Sequence, residues 1–398
     1  MRIRTAISTQ SDAHLALTEL AAGIAVPDAR RPDFISLHFA EGLSAGFAAH
    51  ARTLLPAAAL HGGTSCLGVM SDRGAAIAGD SGSGAFAIYD PDGSYGTAAA
   101  LLANDPQAAA RTATLAALAA AGRSGESPAL VWLTTAPGCE DAVLAGVQQI
   151  VGRGTPMLGG SSADNAAAGQ WAQFCNGTVL QGAVVVSVLF PSGPISTAFQ
   201  GGFAPTGDSG MITHSLGRKL MRIDDRPAAE VYAEWTRGAV PVPGSQMRSI
   251  LSESTLHPLG VVTDHIAGVP FHMLAHPACS HPDGSLDLFA DLREGDRVWQ
   301  MKGTPDSLID RAGQVARAAL GSAPPPLGAL VIYCAGCLLA QPDRLPDVVA
   351  QVADALQGAP FLGVFTFGEQ GILPPDQSRH GNLMYSCTVF GKPEGGYL

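Results

Sequence analysis

The chain has 398 residues, of which 46% are hydrophobic and 14% charged, and its formal net charge at pH 7 is -11. This length exceeds what one hydrophobic core usually organises, so two domains or one large α/β body are expected, and the apolar content argues against extensive disorder. The acidic balance argues against nucleic acids and anionic membranes as partners, because like charges repel their phosphate groups.

The sequence predicts a cytoplasmic protein that is not inserted in a membrane. Its first residues, MRIRTAISTQSDAH, are charged and then polar, unlike a secretory signal. The most apolar stretches, such as GAVVVSVLF (182–190), are shorter than the roughly 20 residues that a spanning helix needs. The 7 cysteines are scattered along the chain, unlike the dense framework of small secreted proteins.

In chain order, the hydrophobic spacing predicts three strand–helix–strand units. Alanine-rich surface helices at 11–24 and 105–121 precede the first two units. The units comprise 34–38, 45–55 and 58–63; then 128–135, 140–150 and 156–160; and finally 329–333, 345–356 and 360–367. Because parallel strands require a crossover helix, this order predicts an α/β fold with parallel strand pairs.

Each unit is followed by a β-rich stretch, which predicts mixed sheets. These stretches are 74–89, 175–190 and 381–390, and the second contains Asn176-Gly177, a strong hairpin signal. The interval 241–282, rich in Pro, His and Gly, predicts a domain joint or a functional loop. By the repeat pattern, however, the boundary is expected near Gly193, which divides the chain into two associated parts, 1–192 and 193–398.

Three strand ends carry comparable small or polar clusters: HGGTSCLG (61–68), TPMLGGSSADN (155–165) and PFLGVFTFGE (360–369). Such ends are where α/β proteins place ligands, because backbone N–H groups converge there. The candidate ligand-binding residues are therefore Thr64, Ser65, Cys66, Ser161, Ser162, Asp164, Asn165, Thr366, Gly368 and Glu369. Asp164 and Glu369 would suit the ammonium group of an amino acid, and the neighbouring N–H groups its carboxylate. The alternative is that these residues only form turns.

Six motifs in this order make the chain resemble FIST domain proteins over nearly its whole length, with a FIST N-terminal part and a FIST C-terminal part. They are GGTSCLG (62–68), GGSSADN (159–165), DDRPAAEVY (224–232), DGSLDLFADLREGD (283–296), YCAG (333–336) and FTFGEQG (365–371). The resemblance implies a sensory, signal-transducing protein that binds a small molecule, for which amino acids have been suggested. Two positions depart from the family pattern: Asp225 stands where Gly is usual, and Cys337 where Arg is common.

The resemblance also implies an alternative. FIST domains are often joined to signalling modules, whereas this chain looks like a stand-alone sensor. Similar stand-alone proteins include haem-binding nitric oxide sensors that act on histidine kinases, so haem and a histidine kinase are implied as cofactor and partner. An axial histidine would then be needed, and the candidates are His61, His257, His265, His272, His276, His281 and His380. Of these, His380 is also kept as a candidate ligand-binding residue.

Cys334-Ala-Gly-Cys337 lies at a predicted strand-to-helix turn. A thiolate there would be stabilised by the helix N-terminus, which allows a redox or metal-binding interpretation. A single CxxC is also explained by two small residues in a tight turn. Since Cys334 matches a family motif position, it is kept as a pocket residue, and no metal site is predicted.

A third alternative is a Ser or Cys hydrolase. Ser161, Ser162 or Cys66 would act as nucleophile, with His38, His61 or His380 as base. The sequence contains no G-x-S-x-G elbow and no Walker A motif, and GDSGSG (79–84) matches a serine protease signature over only a few letters. A non-enzymatic sensor is therefore preferred.

Overall fold

A computed structural model describes residues 1–241, 244–266, 268–321, 325–373 and 377–392. Within these residues the chain forms three consecutive units of the same order: strand, helix, strand, helical segment, strand, hairpin and closing strand. The first unit comprises β1 (Arg2–Ser8), α1 (Ala13–Ile24), β2 (Phe34–Phe39), α2 (Ser44–Leu54), β3 (Ala59–Thr64), β4 (Gly68–Ser71), β5 (Gly74–Ile77) and β6 (Ser83–Tyr89). The second comprises β7 (Ser94–Leu101), α3 (Pro106–Ala120), β8 (Leu130–Thr135), α4 (Glu140–Val151), β9 (Met157–Ser161), β10 (Gln173–Cys175), β11 (Thr178–Leu180) and β12 (Ala183–Phe190).

The third unit begins with β13 (Ile195–Gly201) and is then interrupted by residues 204–302, which we call the insertion. The insertion comprises β14 (Ala204–Leu216), β15 (Lys219–Ile223), β16 (Arg226–Pro227), α5 (Ala228–Trp235), β17 (Arg248–Ser249), α6 (Leu251–Ser254), β18 (Leu259–Ile266), β19 (Val269–Ala275), β20 (Pro277–Ser280), β21 (Leu286–Leu288) and β22 (Arg297–Lys302). The third unit resumes with α7 (Pro305–Leu320), β23 (Pro326–Cys334), α8 (Ala335–Ala340), α9 (Leu345–Ala355), β24 (Phe361–Thr366), β25 (Glu369–Leu373), β26 (Gln377–Gly381) and β27 (Met384–Gly391).

Each unit forms its own mixed sheet, and its hairpin extends the sheet of another unit. The strand orders are β1-β6-β2-β3, β7-β12-β8-β9 and β13-β27-β23-β24, and the last two strands of each run are parallel. The hairpin β4–β5 extends the third sheet beyond β24, β10–β11 extends the first beyond β3, and β25–β26 extends the second beyond β9. The three units are therefore linked in a closed cycle of exchanged hairpins.

The sheets face a shared core, and the helices cover their outer surfaces. Phe34, Trp132 and Leu330, one from each sheet, belong to one buried cluster. The outer faces pack separately against α1 and α2, against α3 and α4, and against α7 and α9. Because both faces are covered, β2, β3, β8, β9 and β24 are buried along their whole length.

The predicted α/β fold with three strand–helix–strand units and mixed sheets is confirmed. The Asn176-Gly177 hairpin is also present, because Cys175 pairs with Thr178 and both turn residues have positive φ. A similar two-residue turn joins β15 to β16 and places Asp225, at φ 60°, in the left-handed region where the family's usual Gly fits without strain. The division into 1–192 and 193–398 stays a prediction.

The interval 241–282 differs from the expectation of a joint or loop. Its described residues contribute β17 to β20 to the insertion, whose described strands form a nine-stranded antiparallel sheet with its own core. The prolines are compatible with strands because Pro270 lies on the edge strand β19 and Pro277 begins β20.

Local sequence signals explain where the long helices begin. Asp12 and Asp105 each accept a hydrogen bond from a backbone N–H in the first turn of α1 and α3. Thr304 and Ser307 form a reciprocal capping box at the start of α7. Among the helices that the structure describes, none is both long and apolar enough to cross a membrane.

Candidate functional site

The ends of β3, β9 and β24 meet, and backbone hydrogen bonds connect them in a ring. The N–H of Cys66 donates to the carbonyl of Phe365, that of Ala163 to Thr64, and that of Phe367 to Ser161, each at 3.1 Å. We call this arrangement the strand-end ring. It brings the three polar clusters of the sequence together at the junction of the three units.

In the first cluster, the polar side chains are used by the fold. The Thr64 hydroxyl accepts from the N–H of Ala172 at 3.0 Å, and the Ser65 hydroxyl accepts from the N–H of Phe365 at 2.8 Å. Cys66 is buried, and burial, reinforced by Asp164, Cys334 and Glu41, raises the pKa of its thiol to about 12. None of the three offers a free polar group to a ligand in this arrangement.

In the second cluster, Asp164 organises its own loop. Its carboxylate accepts from the N–H groups of Ala166, Ala168 and Gln170, which satisfies both oxygens. The side-chain oxygen of Asn165 accepts from the N–H of Leu67 at 2.6 Å, and its side-chain nitrogen donates to the Asp80 carboxylate at 2.7 Å. The hydroxyl of Ser162 is buried without a hydrogen-bond partner among the described residues.

Ser161 belongs to a buried polar group that the sequence analysis missed. Its hydroxyl donates to Glu140 at 2.7 Å, and Arg218, from the turn between β14 and β15, donates to the other carboxylate oxygen. Burial alone would raise the pKa of Glu140, but His380, Arg218 and Ser161 together hold it below its usual value. The pair fixes the insertion to the second unit, and the only sequence signal was an acid in the first turn of α4.

In the third cluster, Glu369 is fully buried and accepts from the Thr366 hydroxyl at 2.9 Å and the N–H of Met384 at 3.0 Å. Burial, and next the neighbouring Cys334, raise its pKa well above the usual value. A Cβ at Gly368 would collide with the ring of His380, which is why this position is Gly. His380 is buried and lies 3.3 Å from the carbonyl of Phe289.

A cleft of about 440 Å³ lies at the carboxyl end of β23, between the third unit and the insertion. It is lined by Ala167, Ser249, Leu251, Ser252, Thr255, Leu256, His276, Phe289, Cys334, Gly336, Leu339, Ala340, Phe367 and Asn382. Of the predicted site residues, Cys334 alone is part of this lining. The others, including Asp164, Glu369 and His380, lie in or beside the strand-end ring.

The described lining of the cleft carries no charge. The buried imidazole of His276 lies 3.3 Å from both the Thr255 hydroxyl and the Leu251 carbonyl, and burial lowers its pKa to about 4. The side-chain oxygen of Asn382 accepts from the backbone N–H of His276 at 3.2 Å. The side-chain nitrogen of Asn382 has no partner among the described residues. Since Asn382 is only 2% exposed, an unpaired donor at this position costs about 1–3 kcal/mol. The nitrogen is itself enclosed by protein, so an acceptor on a ligand would remove that cost only after a shift of the cleft wall.

The thiol of Cys334 is not activated. It lies in the wall of the cleft, and burial together with the neighbouring Cys337 raises its pKa well above the usual value. Nucleophilic and redox cysteines need the thiolate, which burial in apolar surroundings disfavours. The geometry is that of a small side chain that shapes the cleft.

Within the described part of the chain, none of the candidate nucleophiles Ser161, Ser162 and Cys66 is hydrogen-bonded to a histidine. Ser161 donates to Glu140 and not to a histidine. His61 bonds Ser187 and Thr134, and His38 bonds Ser36. Burial lowers the pKa of His38 to about 3, which makes it a weak base.

The cleft does not fit haem. His276 is its one described histidine, and the ring nitrogen that could bind iron is directed at Leu251 and Thr255. The described lining also contains no Lys or Arg to pair with the haem propionates. Elsewhere, His61 is enclosed by Ser187 and Thr134, and the described residues contain no group of metal-binding side chains.

Two family models together match most of the chain. The FIST N domain model matches residues 33–226, and the FIST C domain model matches residues 228–372. No curated protein matches the sequence.

Similar solved structures are distant. A cyanuric acid hydrolase from A. caulinodans shares 10% sequence identity at a TM-score of 0.40, with coverage of 98% of this chain and 99% of that one. PurLQS from Thermotoga maritima shares 10% identity at a TM-score of 0.23, with coverage of 76% and 73%. At these TM-scores neither likeness bears on the fold or activity of this chain.

Proposed function

The chain belongs to the FIST family, and from this premise we propose that it is a sensory protein whose ligand is an uncharged small molecule bound in the cleft. FIST domains are associated with signal transduction and small-ligand binding. The observation that supports a ligand here is the buried amide nitrogen of Asn382, which has no partner among the described residues and lies at a cleft of about 440 Å³. Such clefts, mostly apolar with a few directed polar groups, are the usual form of small-molecule sites.

The chemistry of the lining favours a flat or compact molecule with a carbonyl or similar acceptor. Phe289 and Phe367 supply aromatic surface, and the Asn382 amide supplies the donor. A free amino acid, which the family resemblance implies, carries two opposite charges, and the described lining has no counter-charge for either. Burying an unpaired charge is far more costly than burying a neutral hydrogen-bonding group.

The position of the cleft suggests how occupancy becomes a signal. Apart from Ala167, its described walls come from two bodies, with Thr255 and His276 on the insertion and Cys334 and Asn382 on the third unit. A ligand that touches both walls favours the arrangement in which they are correctly spaced, which shifts the population toward it. A preference of about 1.4 kcal/mol already changes that equilibrium tenfold. A signalling partner, for which the resemblance implies a histidine kinase, would recognise the position of the insertion.

Thermal unfolding with benzamide, a neutral carbonyl compound, and with a panel of amino acids tests the proposal. Binding to the native state alone must raise the melting temperature. We expect benzamide to raise it and the amino acids to have less effect. The exposed Ala340→Trp variant, which fills the cleft, should lose the response, whereas Ala119→Trp on the exposed face of α3 should keep it.

Two results would overturn the proposal. One is a benzamide response that survives in Ala340→Trp, which would place the ligand elsewhere. The other is a Soret band in freshly purified protein grown with haem, which would favour the haem sensor alternative.

A further inference from the structure

A second recess, which we call the groove, lies at another junction between the insertion and the third unit. It has a volume of about 480 Å³ and is lined by Gln200, Gly201, Phe203, Ala204, Pro205, Val269, Pro270, Phe271, His272, Leu274 and Arg311. It shares no lining residue with the cleft. The two recesses can therefore be altered separately.

Arg311 is the one formal charge in this lining, and its guanidinium is incompletely paired. Its Nη1 donates to the Gln200 side-chain carbonyl at 2.8 Å, whereas its Nε is buried without a partner among the described residues. No carboxylate of the described chain shifts its pKa, which burial lowers. By contrast, Arg218 and Arg344 each pair with two acids.

A partly buried cation without an anion is unfavourable in the free protein. A charge that is removed from water is unfavourable unless a partner compensates it. Gln200 supplies only a neutral acceptor. The groove is open to solvent on the side of Val269, which is 66% exposed, so an anion from solution could reach it.

The walls indicate what kind of anion fits. Phe203, Pro205 and Phe271 provide an apolar surface, and burial lowers the pKa of His272, so its ring adds no charge at neutral pH. One guanidinium matches one carboxylate, which it can bind through two parallel hydrogen bonds. A multiply charged phosphate would be left with uncompensated charge in these surroundings.

We propose that the groove is a second ligand site, in which Arg311 binds the carboxylate of a small aromatic or aliphatic acid whose apolar body packs against Phe203 and Phe271. The site is separate from the cleft and does not depend on the function proposed for it. Like the cleft, it joins the third unit, through Gln200 and Arg311, to the insertion, through β19.

Benzoate and benzamide form a matched pair of probes that differ in charge and not in shape. We expect benzoate to raise the melting temperature of the full chain and of Ala340→Trp, but not of Arg311→Leu. By calorimetry, the benzoate affinity should fall at least tenfold in Arg311→Leu and less in Arg311→Lys, which keeps the charge but not the paired geometry.

Arg311→Leu should fold, because it replaces an uncompensated charge with an apolar side chain, and its urea midpoint provides that check. Equal benzoate binding by the wild type and a folded Arg311→Leu would overturn the proposal. So would the absence of benzoate binding to the wild type at low salt, where charge pairing is strongest. Because benzamide reports on the cleft, failure of the groove and failure of the cleft are distinguishable.

Discussion

The strand-end ring and the cleft contain similar polar side chains but use them differently. In the ring, Asp164 and Glu369 are saturated by hydrogen bonds from their own protein. In the cleft, the Asn382 amide keeps an unused donor within the described structure. The Ser162 hydroxyl of the ring also has no partner among the described residues, but it does not line the cleft. The difference teaches that polar residues at strand ends do not by themselves mark a binding site, because the fold can use most of their hydrogen-bonding capacity.

The largest expected effect comes from Glu140→Ala, which tests whether the ring region is structural. The substitution removes the acceptor of Ser161 and the nearer of the two acids that pair with Arg218, which keeps only Asp291 at 3.5 Å. Breaking such a buried pair should lower the free energy of unfolding by about 3–5 kcal/mol, measured by urea denaturation. The control is Glu234→Ala, which removes the exposed pair with Arg226 and should change stability much less. Equal effects would contradict a structural role for the buried pair.

Asp164→Ala should have the next largest effect. Three backbone N–H groups lose a charged acceptor, so we expect a loss of about 2–3 kcal/mol, less than the sum of the bonds because the loop can rehydrate. Asp164→Asn, which keeps one oxygen acceptor, should lose less. If Asp164 instead binds the ligand, the folded Asp164→Asn variant will lose its benzamide response, a result that would reverse the comparison.

Glu369→Gln sharpens the comparison through pH. In the folded wild type, the pKa of the Glu369 carboxyl lies well above 4.5. Its contribution to stability is therefore fully present below pH 4.5. The contribution is lost as pH rises toward the folded pKa, because the carboxyl ionises in the unfolded chain before it ionises in the folded one. The wild type should lose stability relative to Glu369→Gln by at most about 1.4 kcal/mol per pH unit in that range. Urea midpoints of the two proteins from pH 5 to 8 measure this. Parallel curves would mean that Glu369 is ionised in the folded state.

Asn382→Leu should have the smallest effect on stability and a large effect on binding. It gives up one bond from the N–H of His276 but also removes an unpaired buried donor, so the net change should lie within about 1 kcal/mol. The benzamide response should disappear. Asn382→Asp keeps the shape and the acceptor for His276 without the donor, and it should lose the response as well. A benzamide response that is retained in both variants would contradict a role of Asn382 in ligand binding.

Local patterns were enough to predict the repeated units, because each depends on spacing within about 30 residues. The turn at Asn176-Gly177 was predictable for the same reason. The cleft was not, since His276 and Asn382 come from separate bodies and meet only after folding. The Arg218–Glu140 pair joins residues 78 positions apart, which no local signal specifies. The residues of the strand-end ring were predicted from the sequence. Their hydrogen bonds to other groups of the protein were not, because these partners come together only on folding.

The exchange of hairpins has a consequence for synthesis of the chain. Besides β5, the strand β4 pairs with β24, which is synthesised nearly 300 residues later. Contacts between such distant residues slow folding, and nascent chains usually organise from the N-terminus. Until their partner strands have been synthesised, the unpaired edges of β3 and β4 can pair with strands of other chains. A fragment that ends before β24 should therefore aggregate rather than fold as an independent piece.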